Sequence, residues 1–218
     1  FLYPHTPVPE PMSDTYRSID GGARAEIKVE GSRFVAEAMP VATREDAEAE
    51  IDALREREHD ATHHCSAYRV GRSGDTFHYD DDGEPSGTAG APILRQIDGR
   101  GLTHTLVVVI RHYGGTKLGT GGLARAYGDA AAQALDRAEI VERVVRTPIR
   151  LRYAYDDTRF ADRVLRQFDA VEVDADYTDV TEKTVAVRAS QVEAFADAFT
   201  NALAGRGELN RLDDATAA

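Results

Sequence analysis

The chain has 218 residues, 42% of them hydrophobic, and its 38 acidic against 26 basic residues leave a net charge of −12. That length allows one large or two small domains with a packed core, and no apolar run approaches the roughly 18 to 20 residues of a membrane-spanning helix. A strong acidic balance argues against loose, purely electrostatic binding of nucleic acid, and it resembles that of proteins adapted to high salt, where screening would weaken the repulsion.

Cys65 is the only cysteine and Lys28, Lys117 and Lys183 are the only lysines. A single thiol permits no intrachain disulfide and fits a reducing compartment, so a soluble cytoplasmic protein is expected, with no membrane partner.

Residues 1–20 read as a flexible leader. Phe1 to Pro11 is proline-rich and precedes Met12, the expected natural start. Ala25 to Val41 carries extended-chain signals around a Gly-Ser turn and predicts a hairpin. Thr43 then stands as an N-cap before a helix, with acidic residues in its first turn and Ala47, Ile51 and Leu54 at helical spacing. "THHCSAYRVG" is a short strand, and "DTFHYDDDGEPSGTAGAPIL" is a long polar loop running into a helix or turn. Leu106 to Ile110 is the strongest strand signal and suits a strand buried on both faces. A glycine loop follows, then a helix from Leu123 with Ala126, Ala130, Ala134 and Leu135 near one face. From Arg146 the order β-α-β-β-α-β predicts a split βαβ, ferredoxin-like unit. The fold class is therefore α+β: a leader over 1–20, an N-terminal domain over 21–145 and a C-terminal ferredoxin-like domain over 146–218.

Three stretches carry candidate chemistry. In the first, Gly114, Gly115, Gly119, Gly121 and Gly122 lie between a buried strand and a helix N-terminus, where unpaired amides and the helix dipole suit an anion. Lys117 lies in this loop, and Arg111 and Arg125 flank it. The spacing is neither a P-loop nor a dinucleotide fingerprint, and a purely structural turn fits the same residues. In the second, Asp82, Gly83, Glu84, Pro85, Ser86, Gly87 and Thr88 form a loop long enough to be functional. Asp80, Asp81, Asp82 and Glu84 could offer oxygen ligands to a cation, but the spacing matches no EF-hand, and no metal or cofactor is expected. In the third, His63 and Cys65 share one face of a strand, with His112 a third partner should they serve nucleophilic or zinc chemistry; packing or hydrogen bonding is the expected role, because cysteine is commonly buried. His64, Asp82, Glu84 and His112 are the acid/base candidates should the chain be an enzyme.

"GSRFVA", "ATHHCSAY", "DDGEPSGTAGAPIL" and "RHYGGTKLGTGGLARAYGDAA", in that order, resemble the YigZ/IMPACT family across roughly Ile27 to Ala132. The C-terminal unit resembles that of the bacterial and archaeal branch. The resemblance implies an N-terminal α+β domain similar to a small-subunit ribosomal protein and to domain IV of elongation factor G. It also implies a C-terminal domain similar to domain V of that factor. No catalytic residue or cofactor is implied by it.

Two functions follow as expectations. One is a translation-associated regulatory or RNA/ribosome-binding protein without catalysis, whose partner is RNA or a ribosome-associated factor and not DNA. The other is an enzyme acting on a nucleotide or phosphorylated small molecule in a cleft between the two glycine-rich loops. A protein–protein adaptor is a third reading.

Overall fold

The structure is a computed structural model and describes residues 14–212. The proline-rich segment and Met12 lie outside the described residues. One compact unit spans Tyr16–Arg143; a second begins at Val144, with Asp14 and Thr15 grouped with it.

In the first unit, β1 (Thr15–Asp20) pairs with β7 (Glu139–Val144) in a two-stranded sheet. The leader expected over residues 1–20 therefore gives way to a strand at Thr15. The main sheet has five antiparallel strands: β2 (Ala23–Val29), β3 (Ser32–Pro40), β4 (His63–Val70), β5 (Thr76–Asp80) and β6 (Thr105–His112). Their order is β2-β3-β6-β4-β5. The β2–β3 hairpin turns at Glu30 and Gly31, both with positive φ (47° and 82°), not at the Gly-Ser pair. A two-residue hairpin turn of that hand requires this conformation.

Central β6 is buried on both faces, as its unbroken apolar run predicts. Val107 and Val109 join Phe34, Ala36, Cys65 and Ala67 beneath α2 (Gly90–Gly99) and α3 (Gly119–Arg137). Leu106, Val108 and Ile110 face the other way, onto Ala47, Ile51 and Leu54 of α1 (Arg44–Arg57). Helix α1 starts with a capping box: Thr43 Oγ1 accepts from the Asp46 amide at 3.1 Å, and the Asp46 carboxylate accepts from the Thr43 amide at 3.0 Å.

The second unit has the expected β-α-β-β-α-β succession: β8 (Arg146–Ala154), α4 (Thr158–Gln167), β9 (Val171–Tyr177), β10 (Val180–Arg188), α5 (Val192–Ala202) and β11 (Glu208–Arg211). The antiparallel sheet runs β11-β8-β10-β9. Ile149, Leu151, Tyr153, Val185 and Val187 pack under Val164 and Leu165 of α4 and Phe195 and Phe199 of α5. Buried Lys183 ties β10 to Asp162 of α4 (3.3 Å) and Glu172 of β9 (2.9 Å). Burial alone would lower its pKa, but these carboxylates and Tyr177 hold it above the usual lysine value. Among the described residues no helix is long and apolar enough to cross a membrane.

Two glycines of the 114–122 loop have opposite demands. A Cβ on Gly114 would overlap the Gly31 carbonyl and the Ser32 amide, because the β2–β3 turn passes against it. A Cβ on Gly121, in the first turn of α3, meets nothing within 4 Å. Gly114→Ala is expected to cost about 1–3 kcal/mol, as overpacking does, and Gly121→Ala to gain up to about 1 kcal/mol of helix propensity. Urea denaturation of the two variants measures both, and equal effects would contradict the close approach at Gly114.

Candidate functional site

The acidic loop after β5 turns its carboxylates inward. Asp81 serves as the cap of α2, whose own cap residue, Ala89, has no side-chain acceptor. Its Oδ1 accepts from the amides of Ala89 and Gly90 at 2.9 Å, and its Oδ2 from Gly87 at 2.7 Å. Burial raises the Asp81 pKa, but these donors more than offset that and hold it below the usual carboxylate value. Asp82 Oδ2 accepts from the His64 amide at 2.6 Å, and Asp82 Oδ1 from Arg55 at 3.3 Å. The reversal of the chain uses positive φ at Asp82 (42°), Gly83 (85°) and Gly87 (74°). Thr88 Oγ1 closes the loop on the Pro85 carbonyl at 2.6 Å, while Pro85 and Ser86 remain exposed. The carboxylates that could have offered cation ligands are thus engaged by protein donors.

Glu84 goes deepest. Its side chain is 4% exposed and its Oε1 accepts from Arg111 at 2.5 Å and from the Tyr127 hydroxyl at 2.8 Å. Arg111 sits at the end of β6 between the rings of Phe34 and Tyr113, each about 5.4 Å from its guanidinium carbon, and donates to Ser32 Oγ at 3.3 Å. Ser32 Oγ also accepts from the Gly114 amide at 3.2 Å, tying the same hub to the glycine loop. The two loops are therefore brought together, through a buried ion pair. Arg111, expected on the anion-binding surface, is buried and neutralised by Glu84. Period-2 alternation after a buried strand could have flagged the burial, but nothing local pointed to its partner.

The histidines divide between the faces of the sheet. His63 pairs in register with Arg111 and lies on that face with Cys65; its Nε2 is 3.8 Å from Glu84 Oε1. His112 follows Arg111 and so points to the opposite face, which removes it as a third partner of His63 and Cys65. It lies near Glu58 and Asp60, whose ligating atoms and its own fall within 4.8 Å of one another. Its Nε2 is buried without a hydrogen-bond partner. Cys65 donates to the Asp81 carbonyl at 3.1 Å, and burial pushes its thiol well above the usual range, away from a nucleophilic thiolate. Buried His64 has its pKa lowered by desolvation and places Nε2 3.1 Å from the Glu58 carbonyl. Of the acid/base candidates, His64 Nδ1 lies 4.0 Å from Asp82 Oδ2, while Glu84 is held apart from them by Arg111 and Tyr127.

The glycine loop differs from the acidic loop. Helix α3 begins at Gly119, earlier than the expected Leu123, so Gly119, Gly121 and Gly122 form its first turn. That end has no side-chain cap and no acidic residue in the first turn, although the first amides of a helix lack internal acceptors. Gly114, Gly115, Lys117, Gly119 and Gly121 are exposed, and Gly122 is half-buried. Lys117 and Arg125 are exposed, and their side chains form no hydrogen bond or ion pair with the described residues.

Two variants test the hub. Glu84→Ala leaves buried Arg111 without its counter-ion and is expected to cost about 3–5 kcal/mol, whereas Tyr127→Phe costs about 1 kcal/mol. Denaturant midpoints that ranked Tyr127→Phe as the worse variant would reject the ion pair as the organising contact. Asp81 has a folded pKa below its ordinary value of 3.8. Its stabilisation is therefore present above that pH and is lost as pH falls through the folded value. Asp81→Asn should flatten the acid limb of the melting-temperature profile below about pH 4.

Residues 30–135 match the model of the Impact N-terminal domain, and residues 151–206 match a domain of unknown function, DUF1949. The IMPACT family member YvyE of Bacillus subtilis is 33% identical over 212 residues, 94% of this chain and 96% of that protein. The IMPACT family member YigZ of Escherichia coli is 35% identical over 78% of this chain and 84% of its own length. A solved structure described as that of a hypothetical protein is 30% identical, covers 93% of this chain and 99% of its own, and superposes with a TM-score of 0.68. With these matches spanning both of its units, the chain belongs to the IMPACT family.

Proposed function

We propose that this protein is a non-catalytic, translation-associated module that binds RNA phosphate through the glycine loop and the N-terminus of α3. The open end of that helix is the observation that carries the reading. Within the first unit α1 has a capping box and α2 has Asp81, whereas the 19-residue α3, like α4 and α5, has no side-chain cap, and its first turn presents exposed glycines to solvent. An anion there would accept from those amides in the positive field of the helix. Lys117 and Arg125 add free positive charge beside them. We read the N-terminal unit as similar to the ribosomal-protein and elongation-factor-G domain IV type, and the C-terminal unit as ferredoxin-like; both resemblances support a ribosomal or RNA partner in the cytoplasm. The scattered acid/base groups give the enzyme reading no such support.

Filter binding of structured RNA across a salt series tests this. Lys117→Glu with Arg125→Glu is expected to lower affinity at least tenfold at low salt, while Gly121→Ala, which keeps its amide, retains binding. Affinity unchanged by the double reversal would sink the surface.

A further inference from the structure

The C-terminal unit carries a second basic surface that the glycine loop does not explain. Helix α4 holds three exposed arginines, Arg159, Arg163 and Arg166, at positions i, i+4 and i+7. At about 100° per residue they fall within an arc of roughly 60°, and at about 1.5 Å per residue they span roughly 10 Å. That arc lies opposite Ala161, Val164 and Leu165, the buried residues of the helix. None of the three guanidinium groups forms a hydrogen bond or ion pair with the described residues. Arginines in a chain with 38 acidic residues would readily find carboxylates if pairing were their role.

The acids nearest in sequence are engaged elsewhere. Asp162 holds Lys183 at 3.3 Å, Asp157 makes a bidentate pair with Arg206 at 2.7 and 3.2 Å, and Asp169 holds Arg146 at 3.1 Å. Asp156, exposed before the helix, is the one neighbouring acid without such a pair. Aromatic surface accompanies the stripe. Arg159 lies 4.5 Å from the centroid of the Phe160 ring, which is itself exposed, and Tyr155, in the 3-10 turn that leads into α4, is 59% exposed.

We propose that this face of α4 binds single-stranded nucleic acid. Arg159, Arg163 and Arg166 contact successive phosphates, and Phe160 and Tyr155 offer stacking surfaces for bases. Charge complementarity selects a polyanion, and the exposed rings favour a strand with unstacked bases over a duplex or an acidic protein. Three unpaired guanidiniums within one Debye length act locally whatever the net charge of the chain. This surface belongs to the second unit, and the proposal does not depend on the α3 terminus.

The test uses the full chain and fluorescence anisotropy with short single-stranded RNA and DNA oligonucleotides in a salt series. The triple variant R159Q/R163Q/R166Q is expected to bind at least tenfold more weakly. The slope of log K against log salt should become shallower by about 2, from roughly 0.7 per phosphate contact on a single strand. The corresponding triple lysine variant should keep that slope, and Tyr155→Ala should weaken binding with the slope unchanged. Circular-dichroism melts of each variant separate a folding defect from lost contact. Comparing the RNA and DNA arms shows which strand is preferred. No binding by the wild type, an unchanged slope in the glutamine variant, or equal competition by polyglutamate overturns the proposal. Weakening confined to the α4 variants supports this surface and rejects the glycine loop; weakening confined to K117E/R125E does the reverse.

Discussion

The first unit depends on one buried ion pair. Strand β6 is enclosed by helices on both faces, so an arginine at its end cannot easily reach water. Arg111 is accommodated because the loop after β5 delivers Glu84 to within 2.5 Å of it. A buried charge is tolerated only when it is paired and hydrogen-bonded, and Tyr127 and Ser32 supply the further bonds. Those partners belong to α3 and the start of β3, so one ion pair joins a loop, two strands and a helix. The charge pair accounts for the inward fold of the acidic loop, and Asp81 stabilises the same turn by capping α2.

The treatment of helix ends follows from this arrangement. Asp81 and the Thr43 capping box satisfy α2 and α1 from within the chain, whereas α3 begins in glycines that carry no side chain able to accept. Negative charge is similarly uneven. Many carboxylates are held by arginines, while Lys117, Arg125 and the three arginines of α4 have no acidic partner among the described residues. A net charge of −12 therefore conceals local surfaces of opposite sign. Salt limits the reach of charges to about 8–10 Å, so those surfaces present themselves to a ligand largely on their own terms.

Some features were legible residue by residue. Thr43 and the Ala47–Ile51–Leu54 spacing announce α1, and the Leu106–Ile110 run announces a strand enclosed on both faces. The family motifs are equally plain, because they are contiguous. The start of α3 was not legible, since glycine weakens helix propensity by about 1 kcal/mol and the apolar spacing begins only at Leu123. Strand β5 was hidden as well: Phe77 and Tyr79 are both exposed, and pairing with β4 defines the strand more than its own pattern does. That His63 and Cys65 share a face follows from alternation alone. The face that His112 occupies required the register of β4 against β6.

By itself, then, the sequence determined the α+β class, the two-unit order, the main helices and the family, because periodicity, caps and contiguous motifs are local properties of the chain. The tertiary structure decided which charges are available. Arg111 and Glu84 stand 27 residues apart, and only the register of β6 and the path of the acidic loop bring them together. The same folding leaves Lys117, Arg125 and the α4 arginines facing water; strand alternation hints at the burial of Arg111, but no local rule names the carboxylate that neutralises it.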